Sequence, residues 1–85
     1  MRVKELEEEV FDKDEIRIVV RARANTDLGD YSYERKAAEN TSLSDWLEQR
    51  IEPLTGDNPV IVIDGSGRVA HGRTRLGVIR ATYFR

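Results

Sequence analysis

The chain contains no cysteine, and only two prolines, one methionine, one histidine and one tryptophan. Without cysteine there is neither a disulfide framework nor thiol chemistry. With a single histidine besides, a Cys/His metal site is excluded as well. Long apolar runs are missing: none approaches the length of a membrane span, and Met1-Arg2-Val3-Lys4-Glu5 lacks the apolar core of a secretion signal. The expectation is a cytoplasmic protein of one domain, residues 1–85, with no cofactor and no membrane attachment. A chain of 85 residues buries about 60–65% of its unfolded surface, so the core is modest and a partner can complete it.

Charge is plentiful and unevenly spread. Residues 1–56 hold nine Lys/Arg against fourteen Asp/Glu, whereas residues 57–85 hold five Arg against two Asp. Such polarity steers association with a charged partner. The net charge of −2 argues against a dedicated duplex-DNA binder, whose affinity rests on neutralising phosphates.

Ser42–Leu54 is the strongest helical pattern. Leu43, Trp46, Leu47, Ile51 and Leu54 form one apolar stripe. Ser42 and Asp45 resemble a capping box, and Pro53 is expected to end the helix by pushing Glu52 out of helical geometry. Val3–Phe11 reads as a short helix with Val3, Leu6 and Val10 on one face, followed by a polar link Asp12-Lys13-Asp14. Glu15–Ala24 alternates apolar and basic residues and predicts a strand. Tyr31–Ala38 is then the return strand of a hairpin. In one register Tyr31 faces Ala24, Tyr33 faces Ala22 and Arg21 meets Glu34. Slipping by one residue would instead gather Arg21, Arg23, Tyr31 and Tyr33 on one face, a patch suited to single-stranded nucleic acid. Val60–Ile63 predicts a strand covered on both faces and central in the sheet. Asp64-Gly65-Ser66-Gly67 is a tight turn, Arg68-Val69-Ala70 a short returning strand, and Leu76–Phe84 a last strand. The predicted class is α+β: a short N-terminal helix, then ββαββ with a largely antiparallel sheet and one helix packed on it. The second sheet face is left needing cover, from the N-terminal helix or from a second copy.

Catalytic machinery is sparse. His71 is the sole imidazole base and stands in an arginine-rich turn, with Asp64 the nearest carboxylate in sequence. Glu7-Glu8-Glu9 and Asp12/Asp14/Glu15 read as a solvated charged face. Gly65-Ser66-Gly67 lacks the helix directly after it that a phosphate cradle requires. The cluster to watch is arginine: Arg68, Arg73, Arg75, Arg80 and Arg85, with His71 among them. Arg17, Arg21 and Arg23 would extend it if the first and last strands are neighbours. Arginine suits bidentate recognition of carboxylate or phosphate.

Val3-Lys4-Glu5-Leu6 through Asp14-Glu15-Ile16-Arg17-Ile18-Val19-Val20 resembles the helix–strand start of small phage and plasmid accessory proteins. That resemblance implies binding to a host protein and modulating it. The hairpin–helix–strand order is similar to the β-grasp of ubiquitin-like folds, but Ala81-Thr82-Tyr83-Phe84-Arg85 lacks the Gly-Gly tail that carrier chemistry requires. The sequence therefore points to a non-enzymatic protein-binding module, also able to form a homodimer. Its expected surface is Arg17, Arg21, Arg23, Arg68, His71, Arg73, Arg75 and Arg80. The alternative is a single-stranded nucleic-acid binder using an Arg/Tyr face.

Overall fold

The computed structural model describes residues 1–84. Helix α1 is Val3–Asp14, strand β1 is Ile18–Val20, strand β2 is Val60–Val62 and helix α3 is Leu76–Tyr83. Between the strands lies α2, residues 43–55, built from an α-helical turn Leu43–Trp46, a π-helical stretch Leu47–Ile51 and a second α-helical turn Glu52–Thr55. The radius of gyration is 11.9 Å, matching the roughly 12 Å of a compact chain this long. Among the described residues no helix is long and apolar enough to cross a membrane.

The α+β class stands, but the ββαββ sheet does not. The two strands pair antiparallel with each other, Ile18 opposite Val62, Val19 opposite Ile61 and Val20 opposite Val60. A single bridge between Ile63 and Val69 continues the sheet on the far side of β2. Val60–Ile63 thus has β1 on one side and, through that one bridge, 68–70 on the other, which returns through a turn closed by the Gly67 N–H donating to the Asp64 carbonyl at 3.0 Å. It is not covered on both faces as expected: Val62 is buried, whereas Val60, Ile61 and Ile63 are half-buried, because the sheet holds two strands rather than four.

The expected hairpin from Glu15–Ala24 into Tyr31–Ala38 does not form. Pairing with β2 sets β-branched residues against Ile18 and Val20, whereas the return segment would offer two tyrosines and then Glu34-Arg35-Lys36. Residues 21–42 instead follow an irregular path. Leu28 and Tyr31 are buried and anchor it. The Leu28 N–H donates to the Met1 carbonyl at 2.8 Å and the Gly29 N–H to the Leu54 carbonyl at 3.0 Å.

The expected last strand is helix α3. Leu76, Ile79, Arg80 and Tyr83 recur at helical spacing, and the first three are buried. The first and last strands of the described residues pair antiparallel rather than parallel, and no hairpin precedes α2, so the β-grasp arrangement does not form. Helix α1 runs three residues further than the apolar stripe predicted, because Asp14 occupies the next position of that stripe below Leu6 and Val10 and is buried with them. Glu15 ends the helix in the left-handed conformation, φ 56°, donating its N–H to the Phe11 carbonyl at 2.9 Å.

In α2 Ser42 caps the start as expected, its hydroxyl accepting the Asp45 N–H at 3.3 Å. Pro53 does not end the helix. Glu52 stays helical at φ −54°, ψ −39°, and its N–H reaches back to the Leu47 carbonyl across a π-turn. Proline has no N–H for the Gln49 carbonyl, and the Tyr33 hydroxyl approaches that carbonyl at 3.4 Å instead. Trp46 is buried at the centre of a core with Leu6, Val10, Ile16, Ile18, Leu43, Ile51, Val62, Leu76 and Ile79.

Candidate functional site

Two groups of polar residues stand out, one inside the molecule and one on its surface. Inside, the Asp14 carboxylate is fully buried and collects donors from every part of the fold. One oxygen, Oδ2, accepts the Tyr31 hydroxyl, the Trp46 indole N–H at 3.0 Å and an Arg50 N–H at 3.1 Å. The other, Oδ1, accepts the Ala37 N–H at 2.7 Å and lies 3.6 Å from an Arg80 nitrogen. Arg80 also donates its Nε–H to the Asp14 backbone carbonyl at 2.7 Å. Burial works to raise the Asp14 pKa, but the bonds from Tyr31, Ala37 and Trp46 and the charge of Arg50 outweigh it and hold the carboxyl below its ordinary range. Burial and the adjacent carboxylate push the Tyr31 phenol well up. Arg50 also lies over the Tyr33 ring, 4.3 Å from its centroid. This network joins α1, the irregular segment, α2 and α3, and Asp14, Tyr31, Trp46 and Arg80 at its centre are buried.

On the surface, His71, Arg73 and Arg75 are exposed in the turn that leads into α3. The turn is stapled to the start of α2. The Leu43 N–H donates to the Thr74 carbonyl and the Ser44 N–H to the Gly72 carbonyl, both at 2.9 Å, and the Ser44 hydroxyl donates to Gly72 at 3.0 Å. In return the Leu76 N–H donates to the Thr41 carbonyl and the Gly77 N–H to the Glu39 carbonyl, both at 2.9 Å. The close approach requires glycine at position 72, where a Cβ would come 2.3 Å from the Ser44 hydroxyl oxygen. Backbone polar groups are thus consumed in fixing the turn, and the side chains face outward. His71 Nδ1 accepts the Arg73 N–H at 3.1 Å, which leaves Nε2 as the protonated nitrogen of the neutral ring. Arg75 donates to the Asn40 carbonyl at 2.7 Å and keeps further N–H groups. None of His71, Arg73 or Arg75 forms an ion pair among the described residues, and no Asp or Glu follows Asp64 in the sequence. The N-terminal ends of α2 and α3 meet here, adding their positive dipole ends.

The remaining members of the expected arginine surface are dispersed. Arg80 is buried against Asp14 and leaves the set. Arg17 is exposed at the start of β1, its guanidinium 5.5 Å from the Phe11 ring centroid and 5.8 Å from that of Tyr83. Arg21 and Arg23 follow β1, and Arg68 lies in the turn after β2. Since the last predicted strand is a helix, the β1 arginines are not drawn beside the turn by strand pairing. Tyr31 is in the core, so the aromatic–basic patch of the alternative hairpin register does not exist. Sequence reading missed Asp14, Arg50 and Arg80 as a set. The available signal was a charged residue at an apolar stripe position on each of two helices.

The fold defines a small compact α+β domain. The chain matches no protein-family model, no curated protein and no solved structure.

Proposed function

We propose that this chain is a small non-catalytic binding module whose working surface is the turn His71–Arg75, and that it grips an acidic segment of a protein partner. The observation that carries this reading is the rigid presentation of three unpaired basic side chains within five residues, on a backbone already pinned to α2. Preorganised donors bind without the ordering cost that flexible arginines would meet. Arginine supplies planar, bidentate donation to carboxylates. The resemblance of the opening residues to phage and plasmid accessory proteins supports a partner from a host cell. The non-catalytic reading rests on His71, which is exposed and whose Nδ1 is taken by a backbone N–H rather than oriented by a carboxylate.

A second reading replaces carboxylate by phosphate, on a nucleotide or a nucleic-acid strand. It is favoured by the positive dipole ends of two helices beside the turn, which add to the charge of Arg73 and Arg75 even though their first N–H groups are already bonded. Titrating the full chain against a labelled glutamate-rich peptide and against labelled single-stranded oligonucleotides, each at two salt concentrations, separates the two. The expected result is salt-dependent peptide binding that Arg73→Ala with Arg75→Ala abolishes. Tighter binding of the oligonucleotide, with a salt slope reduced by about 1.4 in the same variant, would transfer the assignment to phosphate. Absence of both would remove the turn as a working surface.

A further inference from the structure

Asp64-Gly65 is the one bond in the chain at which glycine follows Asp or Asn. That pairing has a chemistry of its own. The backbone nitrogen of the glycine can attack the side-chain carbonyl carbon of the aspartate, because glycine has no Cβ to obstruct the approach. A five-membered succinimide forms, and the carboxyl OH leaves with the amide proton as water. A water molecule then reopens the ring. Opening at the side-chain carbonyl restores aspartate. Opening at the main-chain carbonyl leaves isoaspartate, with the backbone routed through the side chain. The turn is accessible, since Asp64 is half-buried and Gly65 and Ser66 are exposed. Both reacting groups are nevertheless held. The Gly65 N–H donates to the Thr82 hydroxyl at 2.7 Å, and that hydroxyl is itself fixed by donating to the Ile79 carbonyl at 2.6 Å. Asp64 Oδ1 accepts the Ser66 N–H at 2.9 Å, the Ser66 hydroxyl at 2.7 Å and the Arg68 N–H at 3.1 Å.

We propose that Asp64-Gly65 is a site of spontaneous isoaspartate formation that the last turn of α3 holds shut, with Thr82 as the positioning residue. Attack requires the Gly65 N–H to leave Thr82 and the Asp64 side chain to turn away from Ser66 and Arg68. It therefore proceeds from a locally opened state in which the end of α3 has lifted from the turn. Ionisation protects as well. The Ser66 hydroxyl and the Arg68 N–H hold the Asp64 carboxyl below its ordinary range, whereas the ring closes from the neutral carboxyl, whose OH can leave. Isoaspartate lengthens the backbone of the turn by one carbon. That unseats Gly65 from the Thr82 carbonyl, and with it the neighbouring Tyr83, whose hydroxyl bridges the Arg17 N–H and the Ile63 carbonyl. The product is a chain whose α3 is loosened from the sheet. This site lies at the opposite end of α3 from His71–Arg75, and it stands or falls separately from the function proposed above.

Incubating the full chain at neutral pH and physiological temperature, both native and in guanidinium chloride, tests it. Isoaspartate is counted by methyl transfer from an isoaspartyl methyltransferase and placed at position 64 by fragmentation mass spectrometry. It should accumulate at least about tenfold more slowly in the native chain than in the denatured one, because only the opened fraction reacts. Thr82→Val removes the acceptor of the Gly65 N–H, and native accumulation should rise about two- to tenfold, the worth of one hydrogen bond. Val10→Ala weakens the core and leaves this turn intact, so it controls for general loosening and should stay within about twofold of wild type. Native and denatured chains reacting at the same rate, or Thr82→Val reacting no faster than Val10→Ala, would each overturn the assignment.

Discussion

Replacing Asp14 removes the one group on which three helices and the irregular segment converge. In Asp14→Ala the Tyr31 hydroxyl, the Trp46 indole N–H and the Ala37 N–H lose their acceptor, and the buried Arg80 loses its counter-charge. Breaking one side of a buried ion pair costs about 3–5 kcal/mol, and each stranded donor adds to it. A domain of 85 residues has only about 4–13 kcal/mol in total, so most molecules of this variant should be unfolded. Asp14→Asn keeps the shape and is the sharper test. Donors approach both carboxylate oxygens, so an amide NH₂ in either orientation points hydrogens at hydrogens. The expected loss is about 2–4 kcal/mol. Asp14→Met with Arg80→Met should recover part of the loss of Asp14→Ala, because the buried Arg80 guanidinium is then gone and only the part-exposed Arg50 is left without its counter-ion. Urea unfolding followed by fluorescence gives the numbers, and Trp46, the sole tryptophan, reports from within the network itself. An Asp14→Asn protein within about 1 kcal/mol of wild type would refute the reasoning, since that small a change is ordinary for a surface position.

Acid should unfold the protein. The Asp14 pKa is held below its unfolded value near 3.9, so its contribution is complete above that value and is lost as pH falls through the folded pKa. A titration by circular dichroism should show stability declining below about pH 4, and a flat profile to pH 2 would contradict it. Gly65→Ala should cost about 1–3 kcal/mol, because a Cβ there would stand 1.9 Å from the Thr82 carbonyl oxygen on the backbone of α3. Gly67→Ala, in open space at φ +84°, should lose only about 1 kcal/mol, and an inverted order in thermal melts would count against the packing described. Tyr83→Phe should cost about 1–3 kcal/mol, since the hydroxyl accepts the Arg17 N–H at 3.0 Å and donates to the Ile63 carbonyl, closing the gap where β1 and β2 part. Urea midpoints that match wild type would mean the two backbone groups find each other directly.

The parts of the fold that could be read from sequence are those in which one period is repeated by apolar residues alone. The Trp46 helix, the helix through Leu6 and Val10, and the central strand at Val60–Ile63 are of that kind. Most of the parts that could not be read involve charge placed where apolar residues belong. Asp14 extends α1 along its buried stripe, yet as an acid beside Asp12 and Lys13 it looks like a linker. Arg80 completes the buried face of α3, and with arginine there Leu76–Phe84 fits a strand's alternation as well as a helix's. Tyr31 has strong β preference but is drawn into the core by its bond to Asp14, and with it goes the hairpin. Pro53 failed as a stop because a π-turn absorbs the missing N–H. On the candidate surface, His71, Arg73 and Arg75 could be named from sequence, but their rigid presentation could not. It depends on backbone bonds to residues 39–44, far away in the chain.

The Asp14 contacts are also separated widely along the chain: by 17 residues to Tyr31, 32 to Trp46, 36 to Arg50 and 66 to Arg80. Contacts of such span close late and slow the search for the native state. A polypeptide leaving the ribosome cannot neutralise this carboxylate fully until Arg80 has emerged. Until then the half-made interior stays accessible to chaperones and proteases, so closure of this network waits on helix α3.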